Sequence, residues 1–199
     1  MSKQKVIDNR QTIKYGILSH NSDLFNINEL FNIYFETIKP NIINNDSTEY
    51  SFNLKNYDNL IFCFNLIKEE EMKKLYELYN YFHFFLIFID IQSIDCEKIL
   101  ELYINQLIDC SQDMTKKSYI FGIYKDEDKI INKDEKITNI LNCKGIDYEY
   151  SEINIKKNDD FQKGMIFIIE DSKEIMEEIE FDELGNKYGK YQGRSCQVI

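Results

Sequence analysis

Residues 81–91 form the most apolar stretch of the chain, rich in aromatic and β-branched side chains. A membrane-spanning helix needs about 20 consecutive apolar residues, so this run is too short to cross a bilayer. A short apolar run of this kind predicts a central strand covered on both faces, as in a parallel sheet. Asp90 then falls at the carboxyl end of that strand, the edge where open α/β sheets bind their ligands.

Shorter apolar runs predict five further strands, at Thr12–Leu18, Tyr50–Leu54, Leu60–Leu66, Tyr119–Tyr124 and Tyr148–Ser151. Between them, apolar residues recur at helical spacing and predict helices. The helices are one capped by Ser22 or Asp23, one over Lys68–Tyr79, one over Cys96–Ile108, one closed by Gly145, and a long one over 160–179. Pro40 and the Asn-rich residues after it are predicted to form a loop.

Strands and helices therefore alternate along the chain, except that the second and third strands follow one another directly. The alternation predicts an α/β fold, a three-layer sandwich with about six mostly parallel strands and about five helices. The two adjacent strands predict one antiparallel hairpin at the edge of the sheet. The length of 199 residues fits one domain over 12–181, with a lead over 1–11 and a flexible tail over 182–199.

The chain is acidic, with a net charge of −11 and an isoelectric point of about 4.7. A nucleic-acid partner is not expected, because binding to a phosphate backbone needs clustered Lys and Arg. The same charge gives the body of the protein no attraction to an anionic membrane. Residues 1–5 lack the apolar core of a secretory signal, which predicts a cytosolic protein.

Four cysteines lie in or beside apolar segments, without the close paired spacing of metal sites, and are predicted to be buried free thiols: Cys63, Cys96, Cys110 and Cys143. Disulfides and a metal site are therefore not expected. The two histidines, His20 and His83, lack a Ser or Cys partner pattern, so they are interpreted as structural or surface residues. No catalytic residue is assigned.

The stretch 60–91 combines a strand ending Phe62-Cys63-Phe64-Asn65-Leu66-Ile67-Lys68-Glu69, then Tyr79, then the strand ending at Asp90. In order and spacing it resembles the third strand, second switch and fourth strand of a Ras-superfamily small GTPase of the Ras, Rab or Rho type. The order of elements extends this resemblance over nearly the whole chain. It implies a Ras-like fold of the P-loop-NTPase type, with a guanine-nucleotide site at the carboxyl edge of the sheet.

The loop after the first strand departs from the family. A phosphate cradle needs glycines whose backbone N–H groups wrap the phosphates, a Lys on the β/γ oxygens and a hydroxyl on magnesium, hence G-x-x-x-x-G-K-[ST]. Residues 19–26 contain neither Gly nor Lys. Asp23 places a negative charge where phosphate would lie. The usual phosphate cradle is therefore expected to be lost.

The second switch departs as well. The resemblance places Phe64 at the family's magnesium-holding Asp, Ile67 at the Gly that meets the γ-phosphate, and Lys68 at the Gln that orients the attacking water. Glu69 is retained, and Thr48 takes the place of the first-switch Thr. Protein partners are expected to bind this switch-like surface, made of Thr48, Lys68 and Glu69.

The guanine-reading motif Asn-Lys-x-Asp keeps its last residue. Ile123 and Tyr124 replace the Asn and the Lys, whereas Asp126 remains and would accept hydrogen bonds from a guanine edge. The Ser-Ala-Lys of the family's last loop aligns roughly with Glu152-Ile153-Asn154. Asp126 is therefore the single nucleotide-binding candidate.

The missing groups decide the expected function. Hydrogen bonds to charged groups contribute about 1.5–3 kcal/mol each, so losing the Lys, the carboxylate and several cradle N–H groups removes about 6 kcal/mol or more. That is about four decades of affinity. The expectation is a pseudo-GTPase without cofactor, acting as a binding module in signalling or membrane traffic. Two alternatives remain: a divergent GTPase that uses GTP or GDP with magnesium, and a soluble α/β interaction protein.

The last four residues, Cys196-Gln197-Val198-Ile199, match a C-a-a-X prenylation box with Cys196 as the modified residue. A prenyl group would place the protein peripherally on the cytoplasmic face of a membrane. One prenyl chain gives only marginal, reversible attachment. The nearby positive charges are few, namely Lys187, Lys190 and Arg194, so weak or exchangeable anchoring is expected. In the soluble alternative the match is accidental.

Overall fold

A computed structural model describes residues 11–20, 23–39, 41–45, 49–54, 56–57, 59–68, 70–111, 116–126 and 133–185. Within these ranges seven strands form: β1 Gln11–Ser19, β2 Asn41–Asn45, β3 Glu49–Asn53, β4 Leu60–Leu66, β5 Phe84–Asp90, β6 Ser118–Tyr124 and β7 Tyr148–Asn154. Five α-helices accompany them: α1 Ile27–Ile38, α2 Leu75–Leu78, α3 Cys96–Cys110, α4 Lys133–Lys144 and α5 Asn158–Gly185. The predicted α/β class is confirmed.

One sheet contains all seven strands in the order β2-β3-β4-β1-β5-β6-β7. The strands from β4 to β7 pair in parallel, and β3 pairs antiparallel with β4. The six predicted strands and their antiparallel pair are thus present. The hairpin does not form the edge of the sheet, however, because β2 pairs antiparallel on the outer side of β3.

The additional strand β2 corrects the predicted loop after Pro40. Asn is depleted in strands, so the sequence 41–45 reads locally as a turn or loop. Its strand geometry depends on a partner, since the backbone of β3 supplies the hydrogen bonds. This is a tertiary effect that local sequence does not encode.

The prediction of one continuous helix over Lys68–Tyr79 is also wrong. The chain makes a 3-10 turn over Met72–Lys74, the single turn of α2, and a second 3-10 turn over Tyr79–Tyr81. Tyr79 and Phe82 both pack on Phe85, and their ring centroids lie 5.4 and 5.7 Å, respectively, from that of Phe85. Tight turns bring both rings under the sheet just before β5 begins.

Two further boundaries differ from prediction. The cap of α1 is Asn26 rather than Ser22 or Asp23, because the Asn26 side chain accepts the backbone N–H of Asn28. Helix α5 continues to Gly185, beyond the predicted domain end at 181. The rest of the predicted tail, 186–199, lies outside the described residues. The predicted glycine cap of α4 is confirmed, since Gly145 follows the helix with φ of 64°.

The core lies on both faces of the sheet. On one face α1 and α5 cover a cluster dominated by aromatic rings, with Phe31, Phe64 and Phe161 at its centre. On the other face α2, α3 and α4 cover a mostly aliphatic cluster. Every residue of β5 is buried, which confirms the predicted central strand. Both faces of the sheet are therefore covered by helices.

Four cysteines are free thiols within the described ranges, as predicted, but their burial differs. Cys63 and Cys96 are buried, whereas Cys110 is half-buried and Cys143 is exposed. Cys143 lies on the outer side of the last turn of α4, which a short apolar pattern does not distinguish from the inner side. No helix among the described residues is long and apolar enough to span a membrane.

His83 joins β1 to the start of β5 at the amino edge of the sheet. The backbone N–H of Lys14 donates to His83 Nδ1 at 2.9 Å, and the backbone N–H of His83 donates to the Lys14 carbonyl at 2.8 Å. Burial, together with the charges of Lys116 and Lys14, lowers the pKa of His83. Protonation would remove the acceptor and add a third positive charge.

We therefore expect acid to destabilise the protein through His83. The folded protein binds this proton less readily than the unfolded chain, so the stability contribution is complete above about pH 6.5 and decreases as the pH falls below it. Urea unfolding at pH 7.5 and pH 5.0 measures the loss, which His83→Asn should reduce because Asn keeps an acceptor and does not titrate. His20→Asn is measured beside it, because burial also lowers the pKa of His20 and this second histidine adds its own part of the loss. An unchanged pH dependence in His83→Asn would contradict the assignment.

Candidate functional site

The carboxyl ends of five parallel strands meet at one edge of the sheet, which we call the carboxyl edge. These ends are Ser19, Leu66, Asp90, Tyr124 and Asn154. Open α/β sheets bind ligands in the crevice beyond such an edge. The loops that follow these five strand ends are therefore the candidate site.

The loop after β1 is held by the body of the protein. The backbone N–H of His20 donates to the Phe88 carbonyl at 2.8 Å, and the Tyr103 hydroxyl donates to the Ser19 carbonyl at 2.9 Å. At the other end of the loop, Asn26 Oδ1 accepts the N–H of Asn28 at 2.9 Å. A donor that an anion would use at the start of a helix is thus bound by the chain's own side chain. Residues 21–22 of this loop lie outside the described ranges.

Asp90 is where the sequence predicts it, at the end of β5, and is 8% exposed. Its Oδ1 accepts the backbone N–H groups of Gln92 at 2.9 Å and Ser93 at 3.2 Å. These two bonds shape the turn that leads into α3. The carboxylate therefore binds the local backbone at the strand end where open α/β sheets bind their ligands.

Gln92 links two loops, a role that sequence reasoning missed. Its Oε1 accepts the N–H of Lys125 at 3.0 Å, and its Nε2 donates to the carbonyl of Asp126 at 2.9 Å. The amide side chain thereby fixes the backbone after β6. Its position two residues beyond a predicted strand end was the only sequence signal, and the pairing of β5 with β6 supplies the rest.

Asp126, the predicted guanine-reading residue, lies at the carboxyl edge after β6. Its Oδ1 forms an ion pair with Lys156 Nζ at 3.0 Å, with side chains 42% and 56% exposed. Lys156 is in the loop after β7, where Asn154 Oδ1 accepts the Lys156 N–H at 2.9 Å. The sequence alignment of that loop with 152–154 is therefore wrong, because those residues are still in β7. The loop is 155–157, and Lys156 was missed.

Of the predicted switch residues that the structure describes, two are buried and one is exposed. Phe64 is fully buried in the core, with its ring stacked on that of Tyr15 at 4.3 Å. Ile67 is buried and donates its backbone N–H to the Ile17 carbonyl at 2.9 Å. Lys68 is exposed, and its backbone N–H donates to Glu71 Oε2 at 3.0 Å. Thr48 and Glu69 lie outside the described residues, so of the predicted partner-binding surface the structure describes only Lys68.

His20 carries a buried polar atom at this edge. Its side chain is 9% exposed, and its Nδ1 has no hydrogen-bond partner among the described residues. Burial lowers the pKa of His20, against the opposing influence of the Asp90 and Asp95 carboxylates. A neutral imidazole therefore stands near the acidic groups, and it contributes no fixed positive charge for a phosphate.

The positions that the resemblance predicts for magnesium and phosphate carry other groups. Phe64, which the resemblance places at the magnesium carboxylate, is fully buried in the core. The donor at the start of α1 is bound by Asn26, and Asp90 and Asp95 give the adjoining turn negative charge. Among the described residues, no group of three or more His, Cys, Asp or Glu side chains is placed to hold a metal ion.

Neither a scan of protein-family models nor a search of curated proteins gave a match for this chain.

Proposed function

We propose that the protein is a Ras-type pseudo-GTPase, a protein-binding module with the scaffold but not the ligand contacts of a small GTPase. The burial of Phe64 carries this proposal. Its ring lies 4.3 Å from Tyr15 and 5.5 Å from Phe52, in the centre of the aromatic core. An aromatic side chain packed in this way supplies no ligand to a magnesium ion, which takes oxygen ligands.

The topology supports the Ras-type part of the proposal. Without β2, the sheet has six strands in the order β3-β4-β1-β5-β6-β7 with a single antiparallel pair, the strand number and pairing that the resemblance predicts. The first strand lies inside the sheet, and the loop after it leads into α1 at the carboxyl edge, where the family has its phosphate cradle. The scaffold thus matches the resemblance while the cradle sequence departs from it.

A working GTPase is the second candidate, and Asp126 favours it. The carboxylate lies at the end of β6 and is partly exposed, as a guanine-reading group would be. Its ion pair with Lys156 is a surface pair, which contributes at most about 1 kcal/mol. A base could therefore displace Lys156 at small cost, which makes the phosphate contacts decisive between the two candidates.

The nucleotide carried by the purified protein separates the candidates. Protein purified in magnesium and then denatured releases any tightly bound nucleotide, which ion-exchange chromatography quantifies. The pseudo-GTPase proposal expects far less than one guanine nucleotide per protein. Stoichiometric GDP or GTP, lost in Asp126→Ala, would instead establish the second candidate.

The membrane part of the proposal rests on Cys196, which lies outside the described residues. We expect Cys196→Ser to move the protein from the membrane fraction to the soluble fraction of cells, because the prenyl thioether can no longer form. Since one chain binds reversibly, the wild type should itself be only partly membrane-bound. Fractionation followed by mass spectrometry of the C-terminal peptide measures both.

Cys143→Ser is the matched control, because Cys143 is exposed and has no C-a-a-X context. It should leave the distribution unchanged. An unmodified Cys196, or a membrane fraction that persists in Cys196→Ser, would contradict the anchor.

A further inference from the structure

The connections between α1, β2 and β3 are short. Helix α1 ends at Ile38 and β2 begins at Asn41, so only residues 39 and 40 connect them. Strand β2 ends at Asn45 and β3 begins at Glu49, which leaves residues 46–48 for the second connection. In the resemblance this region takes the place of the first switch. A segment with such short connections cannot move far without breaking strand pairing.

Strand β2 is bonded to β3 along its length. Four residue pairs form, from Asn41 opposite Asn53 to Asn45 opposite Tyr50, with a register shift between Ile42 and Asn44. Strand β3 in turn pairs with β4, from Glu49 opposite Asn65 to Phe52 opposite Phe62. Two strands of the main sheet thus form at Asn41–Asn45 and Glu49–Asn53, within the region that takes the place of the first switch.

Aromatic packing fixes one face of β3 under α1. Tyr50 is 2% exposed and stacks on Phe31 with ring centroids 4.8 Å apart, while its hydroxyl donates to Asn28 Oδ1. Phe52 is fully buried, stacks on Phe64 at 5.5 Å and meets Phe35 edge-on at 5.1 Å. These rings join β3 to both α1 and β4, and moving β3 would expose them.

Polar bonds fix the opposite face of β3. The Glu49 carboxylate accepts from Ser51 Oγ at 2.8 Å and from Asn65 Nδ2 at 3.1 Å. Side chains on alternate residues of a strand point to opposite faces, so these bonds are independent of Tyr50 and Phe52. The strand is therefore held on both sides by residues of its own chain.

We infer that strands β2 and β3, Asn41–Asn45 and Glu49–Asn53, keep one conformation whatever nucleotide is present. The inference rests on the proposed function for its significance, because it removes the movement by which a GTPase signals its nucleotide state. A ligand shifts a conformational equilibrium only as far as it binds the two states differently. A segment held by the core rather than by a γ-phosphate offers no second state to select.

Hydrogen exchange of the full-length protein tests this directly, with peptides covering 41–53 compared in buffer, in Mg–GDP and in Mg–GTP. We expect the strand amides to exchange at least about 100-fold more slowly than in an unfolded peptide, because each exchange event requires the ladder to open. We also expect the same rates in all three conditions. Exchange at unfolded-peptide rates, or rates that change with nucleotide, would overturn the inference.

A second comparison identifies what holds the segment. Tyr50→Ala removes the ring and the hydroxyl and should speed exchange in 41–53 by about tenfold or more, since an opening made easier by 1.4 kcal/mol is tenfold more frequent. Tyr50→Phe keeps the ring and should have a smaller effect. Amides of β5 report whether the variants remain folded. Equal exchange in Tyr50→Ala and wild type, with β5 protected, would contradict the anchoring.

The two proposals fail separately. Nucleotide that binds tightly in a parallel titration without altering exchange at 41–53 would end the pseudo-GTPase proposal and support the fixed conformation. If no nucleotide binds and residues 41–53 exchange rapidly, the pseudo-GTPase proposal stands and the fixed conformation is contradicted.

Discussion

Replacing Phe31 by alanine is expected to reduce the free energy of unfolding by about 3–5 kcal/mol, the range for aromatic-to-alanine changes in cores. Phe31 is fully buried, and its ring contacts Tyr50 at 4.8 Å, Phe64 at 5.5 Å and Phe161 at 6.0 Å. It therefore joins α1, β3, β4 and α5, and its loss leaves a cavity at their junction.

Thermal unfolding measures this effect as a decrease in Tm of about 6–20 °C, from about 2–4 °C per kcal/mol for a chain of this size. Phe167→Ala is the matched control, because that ring on α5 is 45% exposed. Its Tm should change by a few degrees at most. Similar losses in the two variants would show that the aromatic cluster around Phe31 does not hold the sheet and helices together.

Asp171→Ala is expected to be the second most destabilising change, by about 1.5–3 kcal/mol, because it removes a charge-assisted hydrogen bond to a partly buried cation. Glu149, whose carboxylate lies 3.5 Å from Lys117 Nζ, remains as the partner of that cation. Asp171 Oδ2 lies 2.7 Å from Lys117 Nζ and accepts the Tyr119 hydroxyl at 2.6 Å. The two charged side chains are only 24% and 14% exposed. Burial lowers the pKa of Lys117, but the hydrogen bond and charge of Asp171, together with the charges of Glu149 and Asp147, outweigh it and raise that pKa above its usual value.

Urea unfolding of Asp171→Ala measures the loss, with Glu177→Ala as the control on the same helix. Glu177 pairs with Lys173 at 3.2 Å, but its side chain is 62% exposed, so its removal should change stability by less than about 0.5 kcal/mol. Equal effects of the two substitutions would contradict a special role for the Asp171 group. The pair matters because it fastens α5 to β6, and so holds the covering helix on the sheet.

The central strand and most of its neighbours could be predicted from the sequence, because their signal is local. Every residue of β5 is apolar or buried, and β4 has the predicted bounds Leu60–Leu66. The strand β2 could not be predicted, since Asn-rich residues become a strand only beside β3. The break in the helix before β5 was missed for the same reason, because the packing of Tyr79 on Phe85 is a contact with another element.

The candidate site was predicted in place but not in detail. Asp90 and Asp126 lie at the carboxyl edge, as the alternation of strands and helices implies. Gln92 was missed because its two partners are 33 and 34 residues away in the sequence, and Lys156 because its partner is 30 residues away. Parallel strand pairing brings these loops together. Side-chain bonds between loops depend on register, which local pattern does not give.

Three polar side chains at the carboxyl edge are engaged in contacts within the protein. Asp90 shapes its own turn, Gln92 fixes the backbone after β6, and Asp126 is paired with Lys156. These three side chains bind neighbouring backbone or one another's loops, whereas His20 Nδ1 has no hydrogen-bond partner among the described residues. These engaged side chains, together with the burial of Phe64, support the pseudo-GTPase proposal.

Calorimetric titration of the purified, nucleotide-free protein with GTP and with GDP, each with magnesium, tests that proposal most directly. The loss of about four decades of affinity estimated from the missing phosphate and magnesium contacts predicts no saturable heat at micromolar protein concentrations. Asp126→Ala should behave like the wild type. Submicromolar binding of either nucleotide, weakened by Asp126→Ala, would contradict the account.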